Sequence, residues 1–454
     1  VPVPEGNDAA VLDEQMRQVL GCARIPQHGT DDYIKYSPEK CRHFGVFYRN
    51  HYYTVRLFQD DGALLAPKDI CASLAEILNS AQTAIPVNFH TAAFAGSERC
   101  SDFLSQLSAD SGYREQLSKV NHALFHLALF DCPREGLPFE KLLFTNTENI
   151  YPYKPWSFML FSDGAFAVNN EHTSADGVTN VHLYQYVMRF MEEAAAQAED
   201  GGRAEARELI FRFTPEQTKF LAEIRSGYEA RVRNYCVDEW RRTEIDWACW
   251  KELGIGRDAL IQLGFLFASR ALYQESRCIH ESVSTAHYYQ GRTSCLRPLT
   301  SEMKKAADSL CSGMPAEAKL ADLLAAGKAH SRGIRRAKSN VCFVRHGAGL
   351  MLMQRLYGEE LGVPELPALL RSDTYRRFCT QEISTSTVGG SALVEIFGFS
   401  PQVRDGLGIG YLPEHSALKL TISSDQQRLP DSAAFGKALH EYYDILAQLL
   451  KKLR

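Results

Sequence analysis

The chain has 454 residues, enough for two domains of roughly 200 residues each. Hydrophobic residues make up 45% and charged residues 23%, as in an ordinary globular protein, and a formal charge of −5 leaves no basic footprint for nucleic acid. Twelve cysteines are dispersed from Cys22 to Cys379 without the two-residue spacing of a zinc or redox site, so reduced thiols, no metal and a cytoplasmic location are expected.

The opening "VPVPEGNDAA" is no signal peptide and reads as a linker stub, which suggests a domain excised from a larger protein. "HYYTVRLFQDDGALLAP" predicts a strand and turn before a helix at about 67–80, and "SFMLFSDGAFAVNNEH" predicts two strands joined by Asp163-Gly164. His172 then falls just past a strand end. "SADGVTNVHLYQYVMRFMEEAAAQ" has helical spacing, with Val178, Val181, Leu183, Tyr184 and Val187 on or near one face. The polar "AEDGGRAEARE" at 198–208 is the expected linker, dividing the chain into domains 1–213 and 214–454. Thr214-Pro215-Glu216-Gln217 offers an N-cap, a first-turn proline and a capping glutamine for a long helix running towards Arg242.

Helices are expected to dominate the next hundred residues. Their most apolar window, "LIQLGFLFASRALY", is interrupted by Arg270 within about one membrane thickness, so no membrane partner is expected. Strands return with "VEIFGFS", "GIGYLPE" and "ALKLTISS", and an amphipathic helix at about 432–452 closes the chain. The fold class is α/β with mixed sheets.

Three islands carry chemistry. In "NNEHTSADGV", His172 is followed four residues later by Asp176-Gly177. An imidazole titrates near neutrality and can take a proton from a hydroxyl or thiol, although such a histidine can equally pack or cap. Asp176 could orient it, cap the helix or pair with a distant arginine. The second island, "HESVSTAHYYQGRTSCLRP" at 280–298, gathers hydroxyls, aromatics and two arginines around a glycine. The third, "EISTSTVGGS" at 382–391, holds Ser384, Thr385 and Ser386, and in an extended strand the two serines face one side and could address one ligand. The bland reading of such a run is an exposed edge or turn. Neither a Gly-x-Ser-x-Gly elbow nor a P-loop is present, which leaves hydrolase and phosphotransferase readings without support.

Together the islands resemble the choline/carnitine acyltransferase family. The likeness runs through His172-x-x-x-Asp176-Gly177, through "HESVSTAHYYQGRT" against the family's Tyr-Glu-Ser-Ala-Ser stretch ending in Gly-Arg-Thr, and through Ser384-Thr385-Ser386. "CARIP", "RDGLGIGY" and "AHSRGIRRAKSNVCFVRHGAGL" extend it in the family's order over about residues 20–425. The resemblance implies two related domains similar to chloramphenicol acetyltransferase, with an active-site tunnel between them. It implies that His172 deprotonates an acceptor hydroxyl attacking a thioester, without an acyl-enzyme or a permanently bound cofactor. Ser386 would donate to the developing oxyanion. Asp176 is expected to pair with Arg292, and Thr293, Arg345, Ser384 and His280 to contact the acceptor. Arg345 falls on the family's carboxylate clamp, whereas His280 stands where the family has tyrosine.

The donor side departs further. Family members that use free coenzyme A carry a lysine-rich run before Ser-Pro-Asp-Ala, where this chain has "ACWKELGIGRDAL" with only Lys251 and Arg257. That departure and the linker-like start resemble the acyltransferase domain closing fungal highly reducing polyketide synthases. The leading expectation is therefore an acyl chain taken from the phosphopantetheine of a carrier protein, expected to lie in the same polypeptide, and passed to a small hydroxylated acceptor such as carnitine or a polyol. The alternative is a stand-alone carnitine acyltransferase using acyl-CoA.

Overall fold

The computed structural model describes residues 19–453 apart from 38, 81–82, 197–202, 204, 289–290, 390–392 and 430–432. The opening stub and most of the expected linker lie outside the described residues. The chain forms two compact units, Val1–Arg233 and Asn234–Arg454.

In the first unit, β1 (Cys22–Ile25) and β2 (Asp32–Lys35) form a separate antiparallel ribbon. The main sheet is built from β3 (His43–Tyr48), β4 (His51–Arg56), β5 (His126–Leu129), β6 (Trp156–Leu160), β7 (Phe166–Asn170) and β8 (Ala206–Glu208), in the order β7-β6-β5-β3-β4-β8. The three central strands are parallel and the rest antiparallel. The β6–β7 turn uses Gly164 at φ 80° and an Asp163 carboxylate that accepts from the Ala165 N–H at 3.0 Å, as the Asp-Gly pair predicts. The last residues of the expected linker instead form β8. This is a short, polar edge strand of the kind that discourages further pairing.

Helix Gly177–Ala196 follows the expected span, but its buried side is narrower than the spacing suggests. Val181 is buried while Val178 and Val187 are exposed, because Thr179 and Asn180 share the inward side. The capping box at Thr214 and Gln217 forms as predicted, and its helix ends at Val232 rather than near Arg242. That helix packs on the first unit, where Arg225 donates to the Pro86 carbonyl at 2.8 Å.

The second unit begins with β9 (Tyr235–Arg242), the residues expected to continue the helix. Antiparallel pairing along its whole length with the strand Leu418–Asp425 overrides the helical reading. Its sheet contains β9, β10 (Ile279–Ser284), β11 (Thr293–Leu296), β12 (Ile383–Ser386), β13 (Leu407–Pro413) and β14 (Leu418–Asp425), in the order β11-β10-β12-β13-β14-β9. Strands β10, β12 and β13 are parallel, flanked by antiparallel β11 on one side and β14 and β9 on the other. The two sheets thus share one pattern of strand directions. Both are mixed, and the fold is α/β as expected.

Helix Arg257–Tyr273 explains the apolar window. Leu260, Leu263, Phe265 and Phe267 are all buried, in one core with Ile383 and Ile409 of the sheet and Leu439 and Tyr442 of the closing helix Ala433–Leu453. A helix buried on all sides needs no polar stripe. No described helix is long and apolar enough to cross a membrane.

"VEIFGFS" is not a strand. Its Phe397 and Phe399 carbonyls accept from the Thr421 and Ser423 hydroxyls of β14. This backbone crosses β13 at Gly408 and Gly410, where a Cβ would stand 2.7 and 2.6 Å from the Phe399 and Phe397 carbonyl oxygens. Glycine is required there by close approach.

Candidate active site

The candidate residues fall into one group in each unit. In the first, His172 lies in the bend between β7 and helix Gly177–Ala196, its side chain 73% exposed. Asp176 immediately precedes the helix and is 10% exposed, with its Oδ1 3.7 Å from His172 Nδ1. That separation is beyond hydrogen-bond length but within ion-pair range if the imidazole is protonated. An acidic group at this end of a helix also meets the positive end of the dipole.

Several hydrogen bonds hold the bend. The Glu171 N–H donates to the Pro155 carbonyl at 2.9 Å, and Asn180 N–H donates to the Asp176 carbonyl at 3.3 Å. The Glu171 carboxylate accepts from the Thr173 N–H at 2.9 Å and from Arg24 Nη1 at 3.2 Å. Arg24 also donates to Asp31 at 2.6 Å. Burial alone would raise the Asp31 carboxyl, but hydrogen bonds from Gln27, Ser97 and Arg24 outweigh it and hold it below the ordinary carboxylate range. Arg24 is the arginine of "CARIP", and the pairing that gives it a role joins residues 147 positions apart. Adjacent burial is tight as well: Trp156 Nε1 donates to Asn180 at 2.9 Å.

In the second unit, β10, β11 and β12 bring His280, Thr293 and the serines to one sheet. Ser384 pairs in register with His280, and Ser386 ends its strand opposite Gly410. Ser384 is buried and donates to Gln381 at 3.1 Å, while Ser386 is half-buried. Thr385 faces the other side, 1% exposed. The triplet is therefore an internal strand rather than an edge or turn.

Arg345 lies near the start of helix Phe343–Tyr357, with Nη2 3.5 Å from the Thr293 hydroxyl. It lines an open groove of about 400 Å³ together with Cys342, Gly349, Leu350 and Met353. His280 is buried nearby, with Nδ1 3.0 Å from Cys295 Sγ and Nε2 3.3 Å from Ser282. Burial first, then the positive charges of Arg297 and Arg345, push its pKa down to about 4, so the imidazole is neutral at pH 7. Cys342 Sγ donates to the Cys295 carbonyl at 3.2 Å, joining the groove wall to β11. All twelve cysteines are free.

Arg292 sits at the entry to β11, half-buried, its carbonyl accepting from the Thr285 N–H at 3.0 Å. Lys251 and Arg257 are exposed on two successive helices, Trp247–Glu252 and Arg257–Tyr273. Among the described residues one group has ligand atoms close enough together for a metal: Asp258, Glu281 and His330, within 4.8 Å of one another. The sequence reading passed over all three. Each stands in a quoted motif stretch, Glu281 in "HESVSTAHYYQGRT", Asp258 in "ACWKELGIGRDAL" and His330 in "AHSRGIRRAKSNVCFVRHGAGL", and that is the signal that could have found them.

Comparison with known proteins is consistent with these motifs. Residues 4–441 match the family described as Choline/Carnitine o-acyltransferase. Carnitine O-palmitoyltransferase 2, mitochondrial, of Mus musculus is 26% identical over 424 residues, covering 90% of this chain and 63% of the relative. Carnitine O-acetyltransferase of Mus musculus is 23% identical over 431 residues, covering 90% and 67%. The chain thus spans a little under two thirds of the length of the palmitoyltransferase. Among solved structures, the first condensation domain of the CDA synthetase aligns with a TM-score of 0.37 at 12% identity, over 97% of this chain and 88% of that one. The wax ester synthase/diacylglycerol acyltransferase from Marinobacter aquaeolei VT8 aligns at 0.34 and 13%, over 70% and 78%. Scores so low bear no weight, but a family match over nearly the whole length does: the chain belongs to the choline/carnitine O-acyltransferase family.

Proposed function

We propose that this protein is an O-acyltransferase that moves an acyl group from a thioester to the hydroxyl of a small carboxylate-bearing acceptor of the carnitine kind. His172 takes the hydroxyl proton as the oxygen attacks the thioester carbonyl, and the tetrahedral intermediate collapses with loss of the thiolate, which receives that proton. Ser386 donates to the oxyanion while it exists. Asp176, just ahead of the following helix and 3.7 Å from His172, keeps the histidine loop in place. The observation that carries the reading is Arg345 on the wall of an open groove in the second unit, its Nη2 3.5 Å from the Thr293 hydroxyl and its charge felt by the buried His280. A guanidinium fork there suits a carboxylate. A neutral His280 adds no second cation to compete for it, and Ser384 lies beside it in register.

Acyl-CoA is the donor best supported, because the relatives bear the names of carnitine O-acyltransferases, and this reverses the order expected from the sequence. A carrier-protein donor in the cytoplasm remains the second reading, favoured by the sparse cations Lys251 and Arg257 where the family has a lysine-rich run. The 3′-phosphate of coenzyme A separates the two, since each charge-assisted contact to it is worth roughly 1.5–3 kcal/mol. Specificity constants measured with acyl-CoA, acyl-3′-dephospho-CoA and acyl carrier protein, with carnitine and a neutral polyol as acceptors, test the proposal. Carnitine acylated from acyl-CoA, at a rate lowered about a hundredfold by loss of the 3′-phosphate, is the expected result. Equal use of the two nucleotides with a better rate from carrier protein establishes the second reading. Absence of transfer to any hydroxyl from any donor refutes both.

A further inference from the structure

The middle residue of the serine-threonine-serine strand is tied to a buried polar chain that crosses four other elements. Thr385 Oγ1 donates to the His280 carbonyl at 2.9 Å and accepts from Gln262 Nε2 at 3.0 Å. Gln262 is fully buried in the helix Arg257–Tyr273, among apolar neighbours. One turn earlier on that helix, Asp258 accepts from the Tyr411 hydroxyl of β13 at 2.9 Å and from His330 Nε2 of helix Ala316–Lys338 at 2.7 Å. Glu281 of β10, the register partner of Thr385, lies 3.3 Å from the same Tyr411 hydroxyl. Its second oxygen is buried with no hydrogen-bond partner among the described residues.

These atoms are close enough to suggest an ion, but their spacing is that of hydrogen bonds. Two ligands of one tetrahedral zinc at the usual bond lengths stand roughly 3.3 Å apart. His330 Nε2 and Asp258 Oδ2 are closer, at 2.7 Å. The carboxyls have instead divided their roles. Burial, then the charge of Asp258, holds Glu281 well above the ordinary range, as a neutral acid. Burial alone would raise Asp258 as well, yet hydrogen bonds from His330, Glu281 and Tyr411 hold it below that range, ionised. The two carboxyls meet through the Tyr411 hydroxyl, 2.9 Å from Asp258 and 3.3 Å from Glu281.

We propose that Glu281, Asp258, His330, Tyr411 and Gln262 are positioning residues that hold Ser384 and Ser386 towards the substrate by anchoring Thr385 from the opposite face. Side chains alternate along a strand, so fixing Thr385 inward fixes both serines outward. The proposal rests on the reading that this strand meets the reacting thioester. The titratable groups facing Glu281 are Asp258 from helix Arg257–Tyr273, His330 from helix Ala316–Lys338 and Tyr411 from β13.

Steady-state kinetics and thermal midpoints of Glu281→Gln, Glu281→Ala, Thr385→Ser and Thr385→Val against pH test it, with elemental analysis of the purified parent. Glutamine keeps an oxygen towards the Tyr411 hydroxyl and serine keeps its own hydroxyl, so both should hold kcat within about threefold of the parent at pH 7. Alanine and valine should lower kcat at least ~10-fold with acceptor KM within twofold. The raised Glu281 pKa stabilises most below pH 4.5, and this stabilisation is lost as pH rises towards the folded value. The parent midpoint should therefore fall along that rise, and Glu281→Gln should flatten the fall. That thermal readout survives even if the parent transfers no acyl group, which keeps failure here distinct from failure of the proposed function. A glutamine variant as impaired as alanine, unchanged kcat in Thr385→Val, an unflattened pH profile, or one bound metal per chain lost in Glu281→Gln would each overturn the proposal.

Discussion

Replacing Arg24 by methionine tests how the histidine loop is held. Methionine keeps the aliphatic stem beside Tyr153, over whose ring the guanidinium carbon now lies 5.4 Å from the centroid. The loss is then confined to the charged bonds to Asp31 at 2.6 Å and Glu171 at 3.2 Å. A charge-assisted hydrogen bond contributes roughly 1.5–3 kcal/mol. Arg24 is 35% exposed and its partners 11% each, so screening should roughly halve this, to about 1.5–3 kcal/mol for the two together. Chemical denaturation should show that loss at pH 7. Because Asp31 is held below its ordinary pKa, its stabilisation is present above about pH 4 and is lost as pH falls through the folded value, and this acid sensitivity should weaken in the variant. Glu171 would remain attached through Thr173 and Pro155 but lose its link across the unit, and displacement of a catalytic group by about 1 Å can cost ~10²-fold. We expect kcat to fall about tenfold with acceptor KM little changed, and a double-mutant cycle with Glu171→Gln to show coupling. Stability lost without change in kcat would refute the positioning role, and no change in either would refute the energetic reasoning.

His172→Ala should lower turnover at least ~10²-fold while circular dichroism stays that of the parent, and Ser386→Ala should cost roughly 10²-fold; rates within a few-fold of the parent would make either side chain structural. Arg345→Ala should weaken carnitine far more than a neutral polyol, so equal losses in specificity constant would remove the carboxylate clamp. Lys154 is buried, with Nζ donating to the Asn121 carbonyl at 2.9 Å, and burial lowers its pKa to about 7. Between that value and the ordinary 10.5 the unfolded chain binds more protons, so stability should rise with pH over this window. Lys154→Met should accordingly gain about 3 kcal/mol at pH 7, after subtracting the lost hydrogen bond, with the gain shrinking towards pH 10; a pH-independent difference would contradict the burial account.

Local signals identified what local chemistry controls. The Asp163-Gly164 hairpin, the Thr214 capping box, the extents of helices Pro67–Asn79 and Ala433–Leu453, and strands β13 and β14 were all legible, because turn residues, caps and apolar period act within a few positions. The motif positions His172, Thr293, Arg345 and Ser384-Thr385-Ser386 were named through the resemblance to the acyltransferase family. Where pairing partners decide, the reading failed. Tyr235–Arg242 looked like the end of a helix until β14 lay beside it, and "VEIFGFS" looked like a strand although Gly408, Gly410 and the hydroxyls of β14 hold it without a ladder. The pairing of Arg24 with Glu171, 147 residues apart, and the bonds linking Thr385, Gln262, Asp258, Glu281 and His330 were not legible, although most of these residues stand in motif stretches. Their interactions are short-ranged in space but span long stretches of sequence, and only the packed sheets and helices bring such groups within hydrogen-bond reach.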